Sequence, residues 1–506
     1  MMSPTCRRFV PMKTLQGIGL AGILLATLCA CSSVNHNASE HKAAEHQEAA
    51  KPPETLIGLQ YELYRTPLNV GWGAVRPAGW VGLFNGTQEA IPILGKYSSY
   101  DVNILKKHEE WFEYLGINWL LIDWTDFLAA KPAWERQEGP TRQVEETTEL
   151  LFKTYSQLQK EGKHPPKIVL MLGFENGQRI NHIIRWIDKN LLANPRYKNL
   201  WLYYHGKPLL TILYVANLPC DELAKNTSGV VAPQWTVRWM GTQLQDTHVE
   251  RCGYWSWMDG TIRQVVTFRD HVAEETVVTP SCFPWPFAGD SAGNKGWLDP
   301  KATGRDHGAP YIESWKVAFE NRPRFIQIHQ WNEFAGAADG HGGGPNHDVY
   351  GDEYSLELSD DIEPTKLDGC GYRGCGGWGY YYVNLTKALI SLYRKETPDI
   401  TVLALSAPFL PAVIKKHRLP LTWDYLGKSP SSYTLKVDGR TVAQDLHGES
   451  YTLDLSKSLP GRHTVLLMAN GVHTYFDLAP ERLTKKSNTP LAVTSAIQFD
   501  YSPISQ

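Results

Sequence analysis

Eight short apolar runs, most of them separated by stretches long enough for a helix or a long loop, limit what this 506-residue chain can become more than any other feature. The runs cover residues 56–61, 119–123, 168–172, 209–213, 235–239, 254–257, 276–280 and 325–329. Continuous apolar runs of that length suit strands buried on both faces, as in a parallel sheet. Residues 102–115, 147–158 and 180–192 carry apolar side chains at helical spacing between them. Together they predict an α/β fold, a (β/α)8 TIM barrel with insertions over residues 56–395, better than an open doubly wound sheet.

After residue 390 the texture changes. Residues 419–423, 433–437, 451–455 and 463–467 alternate apolar with polar, and Asp438-Gly439 marks a turn. An immunoglobulin-like β-sandwich is expected over residues 396–506. It would either bind carbohydrate or serve as an accessory domain that packs on the barrel.

The amino terminus reads as an address. Arg7, Arg8 and Lys13 precede an apolar stretch over residues 15–28 that is too short and wrongly flanked for a membrane span. Leu28-Cys29-Ala30-Cys31 resembles a bacterial lipobox, which makes Cys31 the expected lipid-modified residue of a signal spanning residues 1–31. Several acyl chains on one residue hold a protein stably at a bilayer. Residues 32–55 have almost no large apolar side chain and should form a disordered tether. The expected location is the bacterial cell envelope, anchored to the outer membrane and facing either the periplasm or the exterior.

The formal net charge of −3 becomes −6 once Arg7, Arg8 and Lys13 leave with the signal. Nothing in that balance suggests a nucleic-acid partner. The 18 Trp and 24 Tyr fit carbohydrate handling, since flat rings stack on sugar C–H faces, although many will be ordinary core. An exported compartment permits disulfides, and the loop Cys370-Gly-Tyr-Arg-Gly-Cys375 is short enough for one bridge to pin. Zinc-type cysteine pairs are absent, so no metal thiolate site is expected.

Trp331-Asn332-Glu333-Phe334 directly follows the eighth run. A barrel strand that ends this way projects a carboxylate at the catalytic face, beside an amide and an indole. Glu can move a proton, Asn can fix a sugar hydroxyl, and Trp can lie against a pyranose. A strand end whose polar groups cap the next helix fits the same residues.

Several segments together resemble glycoside hydrolase family 99, the endo-α-mannosidase and endo-α-mannanase group. They are Ile93-Leu94-Gly95-Lys96-Tyr97-Ser98-Ser99-Tyr100-Asp101, His108, Gly116-Ile117-Asn118-Trp119-Leu120-Leu121-Ile122-Asp123-Trp124, Phe174-Glu175, Gly206-Lys207-Pro208, Trp331-Asn332-Glu333-Phe334 and Asp361-Ile362-Glu363-Pro364. The likeness spans residues 56–382 and implies Glu333 as a catalytic carboxylate. In the family a second Glu stands three residues later and protonates the leaving oxygen; here that position is Gly336. The expected function is a glycoside hydrolase acting on α-linked, mannose-containing glycans, with a non-catalytic glycan-binding lipoprotein as the alternative.

Cleavage typically uses two carboxylates on opposite sides of the scissile bond. Glu175, Asp123 and Glu363 are the candidate partners of Glu333, and Asp259 joins the substrate-facing set with Glu62, Tyr61, Trp124, Trp257, Trp331 and Asn332. His329 shares the inward parity of its strand and reads as barrel filling. The acidic loop over residues 348–361 would bind Ca²⁺, deliver the missing acid from Asp352 or Glu353, or simply be solvated.

Overall fold

The computed structural model describes residues 54–63, 90–125, 143–214, 218–242, 249–257, 263–281, 304–334, 356–357, 359–371, 374–407, 413–479 and 486–504. Cys31 with its signal, the tether up to residue 53, Asp259, Cys282, Gly336 and residues 348–355 lie outside them. The first part of the chain supplies β1 (Leu56–Tyr61), β2 (Trp119–Trp124), β3 (Lys167–Gly173), β4 (Lys207–Leu213), β5 (Thr236–Thr242), β6 (Trp255–Ser256), β7 (Val272–Val278) and β8 (Phe325–Ile328). Each falls on or overlaps an expected run. Their order is β6-β5-β4-β3-β2-β1-β8-β7, with every neighbouring pair parallel.

The result is a nearly closed (β/α)8 barrel, and its seam departs from the sequence expectation. The sixth strand is only two residues long, and no ladder joins β6 to β7 among the described residues. Side chains bridge them instead. The Glu275 carboxylate accepts the Ser256 N–H at 2.9 Å, and Trp255 Nε1 donates to Glu274 at 2.8 Å. A short strand, Val266–Arg269, pairs antiparallel with β7 at this edge, and Thr267 donates to the Tyr254 carbonyl at 2.6 Å.

Around the barrel run α1 (Val102–Leu115), α2 (Gln143–Lys160), α3 (Gly177–Ile187), α4 (Cys220–Thr227), α5 (Ala309–Asn321) and α6 (Tyr381–Arg394). In α1 the Asp101 side chain accepts the Asn103 N–H, Gly116 ends the helix at φ 82°, and Leu105, His108, Phe112 and Leu115 form the buried stripe. A disulfide joins Cys220 at the start of α4 to Cys252 before β6, and the expected Cys370–Cys375 bridge closes a hairpin.

Parity divides each barrel strand. In β2, Leu120, Ile122 and Trp124 pack outward under the helices, while Trp119 and Leu121 point inward with Val169, Met171, Leu209, Met240, Trp255 and Phe325. Gly58 of β1 is inward too; a Cβ there would lie 2.0 Å from the Trp119 ring, so the indole fills that space. This apolar plug closes the amino-terminal end of the barrel, and Trp255 and Phe325 meet within it at 4.9 Å.

The carboxyl-terminal part is a two-sheet sandwich. Its strands are β9 (Thr401–Ser406), β10 (Arg418–Gly427), β11 (Ser432–Val437), β12 (Arg440–Leu446), β13 (Ser450–Asp454), β14 (Gly461–Thr474) and β15 (Leu491–Tyr501). One sheet runs β9-β10-β13; the other runs β15-β14-β11-β12, with Val413–Ile414 on its edge. Strand β9 serves both cores: Val402 and Ala404 join the barrel cluster, whereas Leu403 and Leu405 join the sandwich cluster. Lys316 of α5 adds an ion pair with Asp424 of β10, so the sandwich is packed on the barrel.

Candidate active site

The carboxyl ends of β1 and β8 are fastened together. Past β8 the His329 N–H still bonds Val278 at 3.0 Å, the His329–Gln330 peptide is cis, and the Trp331 N–H returns to the Gln60 carbonyl at 3.0 Å. Residues 360–363 cover this turn through Gln330 N–H to Asp360 O (3.1 Å) and Glu363 N–H to Trp331 O (2.9 Å). The Asn332 carboxamide then imitates a strand neighbour. It accepts the Glu62 N–H at 2.9 Å, donates to the Glu62 carbonyl at 3.1 Å and donates to Tyr97 Oη at 2.9 Å. Glu333 leaves this stem half-buried, a carboxylate at the barrel rim on a backbone fixed from two sides.

Beneath the stem lies a closed polar chain. Tyr97 donates to Glu363 Oε2 at 2.7 Å, His108 Nε2 lies 3.2 Å from Glu363 Oε1, and Tyr61 Oη lies 2.8 Å from His108 Nδ1. A neutral His108 carrying its proton on Nε2 satisfies both neighbours: it donates to the carboxylate and accepts from Tyr61. Burial, with Tyr155 and Glu363 adding to it, pushes the Tyr61 hydroxyl well above its ordinary value, so it serves as a neutral donor. Glu363 is fully buried and accepts from Tyr97, which is the geometry of a carboxylate that holds structure.

A second polar group occupies the barrel interior toward the mouth. Gln60 Nε2 donates to Glu62 Oε1 at 2.9 Å and to Gln330 Oε1 at 3.2 Å, while Gln60 Oε1 accepts from Trp257 Nε1 at 2.7 Å. Gln327 Nε2 donates to the Trp257 carbonyl at 3.3 Å. His329 Nδ1 lies 3.2 Å from Asp360 Oδ2, and Asp360 Oδ1 accepts the Ser281 N–H at 2.8 Å. Gln327 Oε1, His329 Nε2 and Gln330 Nε2 are buried without hydrogen-bond partners among the described residues. Such atoms cost free energy unless a bound polar group satisfies them, so this layer can receive hydroxyl-rich ligands.

The remaining candidates separate. Asp123 stands half-buried at the end of β2, in step with the inward Trp119 and Leu121, and its Oδ1 accepts the Thr125 N–H at 2.6 Å. Glu175 is 62% exposed and pairs with Arg179 in the first turn of α3, so it faces solvent. The expectation that Trp124 and Trp331 offer stacking faces is corrected, because both are fully buried. Trp124 donates to Thr148 at 2.8 Å under α2, and Trp331 packs edge-on against Phe112 at 4.9 Å under α1. Trp124 has the outward parity of β2, and Trp331, which lies beyond the end of β8, is likewise packed in the helix layer.

The structure thus gathers Glu62, Trp257, Asn332, Glu333 and Glu363 around the ends of β1, β6 and β8, whereas Tyr61, expected to face substrate, is fully buried under α1 with its hydroxyl on His108. Gln60, Gln327 and Gln330 were not anticipated as site residues, and Asp360 was singled out only as part of the acidic loop. The two glutamines within apolar runs, Gln60 and Gln327, were a usable signal, since a polar residue in a doubly buried strand needs a polar neighbour. Among the described residues no group of three or more His, Cys, Asp or Glu is arranged to hold a metal ion.

No protein-family model matches the chain, and no curated protein matches its sequence. Among solved structures it is similar to the GH99 endo-alpha-mannosidase from Bacteroides thetaiotaomicron, at 17% identity and TM-score 0.44, covering 67% of this chain and 99% of that one. A glycoside hydrolase-like protein aligns at 12% identity and TM-score 0.37 over 67% of this chain and 94% of its own. The endo-beta-1,4-mannanase from Thermotoga petrophila aligns at 11% identity and TM-score 0.39, covering 89% of this chain and 98% of its own. At these identities the likeness concerns structure and not side-chain chemistry.

Proposed function

We propose that this chain is a glycoside hydrolase that cleaves α-linked, mannose-containing glycan, held at the bacterial cell envelope by lipid on Cys31. The observation that carries the reading is the placement of Glu333. It is a half-buried carboxylate at the carboxyl end of a barrel strand, on a stem clamped by Asn332. The interior beneath it is polar and incompletely satisfied by the described protein groups. A carboxylate so fixed can polarise a nucleophile at an anomeric carbon, and clamping its backbone holds the geometry that catalysis requires.

The test is product release from α-linked manno-oligosaccharides and α-mannan. The wild-type protein should cleave one of them, and Glu333→Gln should lose about 10²–10⁴-fold in kcat/KM. Undiminished cleavage by Glu333→Gln would exclude Glu333 from the chemistry. For the anchor, Cys31→Ser should move the protein from the membrane to the soluble fraction, and unchanged membrane recovery would defeat that part of the reading.

Three observations favour a second reading, a glycan-binding protein without catalysis. Gly336 replaces the family's acid, Glu363 is enclosed, and Glu175 faces solvent. That reading predicts saturable binding of the same oligosaccharides, with no product from the wild type.

A further inference from the structure

We propose that His329 is a catalytic residue of this barrel, the group that delivers a proton to the departing glycosidic oxygen, with Asp360 as the residue that positions it. The inference rests on the hydrolase reading above and names the acid which that reading lacks. Glycoside cleavage needs a proton donor as well as a carboxylate at the anomeric centre. Glu175 and Glu363 are turned to solvent and to structure respectively, and Asp123, at the end of β2, accepts the Thr125 N–H at 2.6 Å, which favours its ionised form over a proton donor.

His329 is placed differently. It directly follows β8 and shares the inward parity of Phe325 and Gln327, with its ring 5.5 Å from that of Trp257. On one side Asp360 Oδ2 lies 3.2 Å from Nδ1, and the Ser281 N–H holds the other carboxylate oxygen at 2.8 Å, so Asp360 is itself oriented. On the other side Nε2 is buried and has no hydrogen-bond partner among the described residues. Gln330 Nε2 and Gln327 Oε1 are in the same condition on the same stretch of chain. A carboxylate on Nδ1 fixes a proton there, stabilises the imidazolium, and leaves Nε2 as the nitrogen that exchanges a proton with a ligand.

The step balances when written as a single displacement. The C1–O bond breaks, its electron pair stays on the leaving oxygen, and that oxygen takes the proton from His329 Nε2. A water oxygen bonds to C1 while Glu333 takes the water's proton. Exchange with solvent restores both groups, and one water is consumed for each bond cleaved.

The experiment compares two leaving groups on one sugar. An α-linked manno-oligosaccharide must protonate its departing sugar, whereas an α-manno-oligosaccharyl fluoride releases fluoride with little protonation. His329→Gln and Asp360→Asn should each lose about 10²–10⁴-fold in kcat/KM on the oligosaccharide and less than about tenfold on the fluoride. Glu333→Gln should lose both reactions. Equal losses on the two substrates in variants that melt as the wild type does, or full activity on the oligosaccharide, would overturn the proposal while leaving Glu333 in place. A wild-type protein inert toward both substrates would remove the hydrolase reading and this one with it. If His329→Gln does not fold, Asp360→Asn decides by the same split.

Discussion

The two ends of the barrel interior are built on opposite terms. At the amino-terminal end Trp119, Trp255 and Phe325 fill the space, and the Arg238 guanidinium is matched to Glu274 at 2.8 Å. At the carboxyl-terminal end Gln60, Glu62, Gln327, His329 and Gln330 replace apolar side chains, and three of their buried atoms have no hydrogen-bond partner among the described residues. An interior filled with apolar side chains stabilises; one lined with unmatched polar atoms gives up stability for the capacity to bind. Barrel enzymes generally separate the two tasks between their faces in this way.

The comparison breaks most visibly at Glu333. Glu333→Gln should lower kcat/KM by about 10²–10⁴-fold while leaving the melting transition unchanged, because Asn332 holds the stem. A large drop in melting temperature would show that the mouth is also structural.

Arg238→Ala should do the reverse. Burial alone would raise the Glu274 carboxyl, but the hydrogen bonds and charge of Arg238, with Trp255, hold it below the ordinary carboxylate value. Removing the guanidinium leaves the buried carboxylate only the half-exposed Arg269 as an ion-pair partner at 3.2 Å and should cost about 1–3 kcal/mol in denaturant unfolding. Activity per folded molecule should stay near the wild-type value.

The smallest effect concerns the neighbouring Glu275 at the seam. Burial, assisted by Glu274 and opposed by the Ser256 N–H, raises its carboxyl well above the ordinary value. A carboxyl whose folded value is raised stabilises fully below its unfolded value, and that contribution is lost as pH rises through the folded value. Glu275→Gln removes this titration, so the variant should gain on the wild type in thermal melts as pH increases. A constant difference across pH would contradict the assignment.

How much of this was legible in the sequence follows from the same physics. Parallel strands buried on both faces read as continuous apolar runs, which is why all eight strands lay where the runs did. The same property hides parity: Trp124 and Asp123 are adjacent and equally strand-like, yet one enters the helix layer and the other the barrel interior. Only polar residues inside the runs, such as Gln60 and Gln327, betray the inward face. The Trp331-Asn332-Glu333 motif located the rim, but the Asn332 clamp on Glu62 and the enclosure of Glu363 by Tyr97 and His108 join residues more than 200 positions apart. The side-chain seam between β6 and β7 left no pattern to detect.

The central claim is that the mouth at Glu333 is where a glycosidic bond is broken. Its most direct test is the structure of Glu333→Gln with an α-linked manno-oligosaccharide bound. The account predicts an anomeric carbon about 3–3.5 Å from the residue-333 side chain or from a water that it holds, with a sugar oxygen on His329 Nε2. An oligosaccharide bound elsewhere on the molecule, with the mouth unchanged, would contradict it.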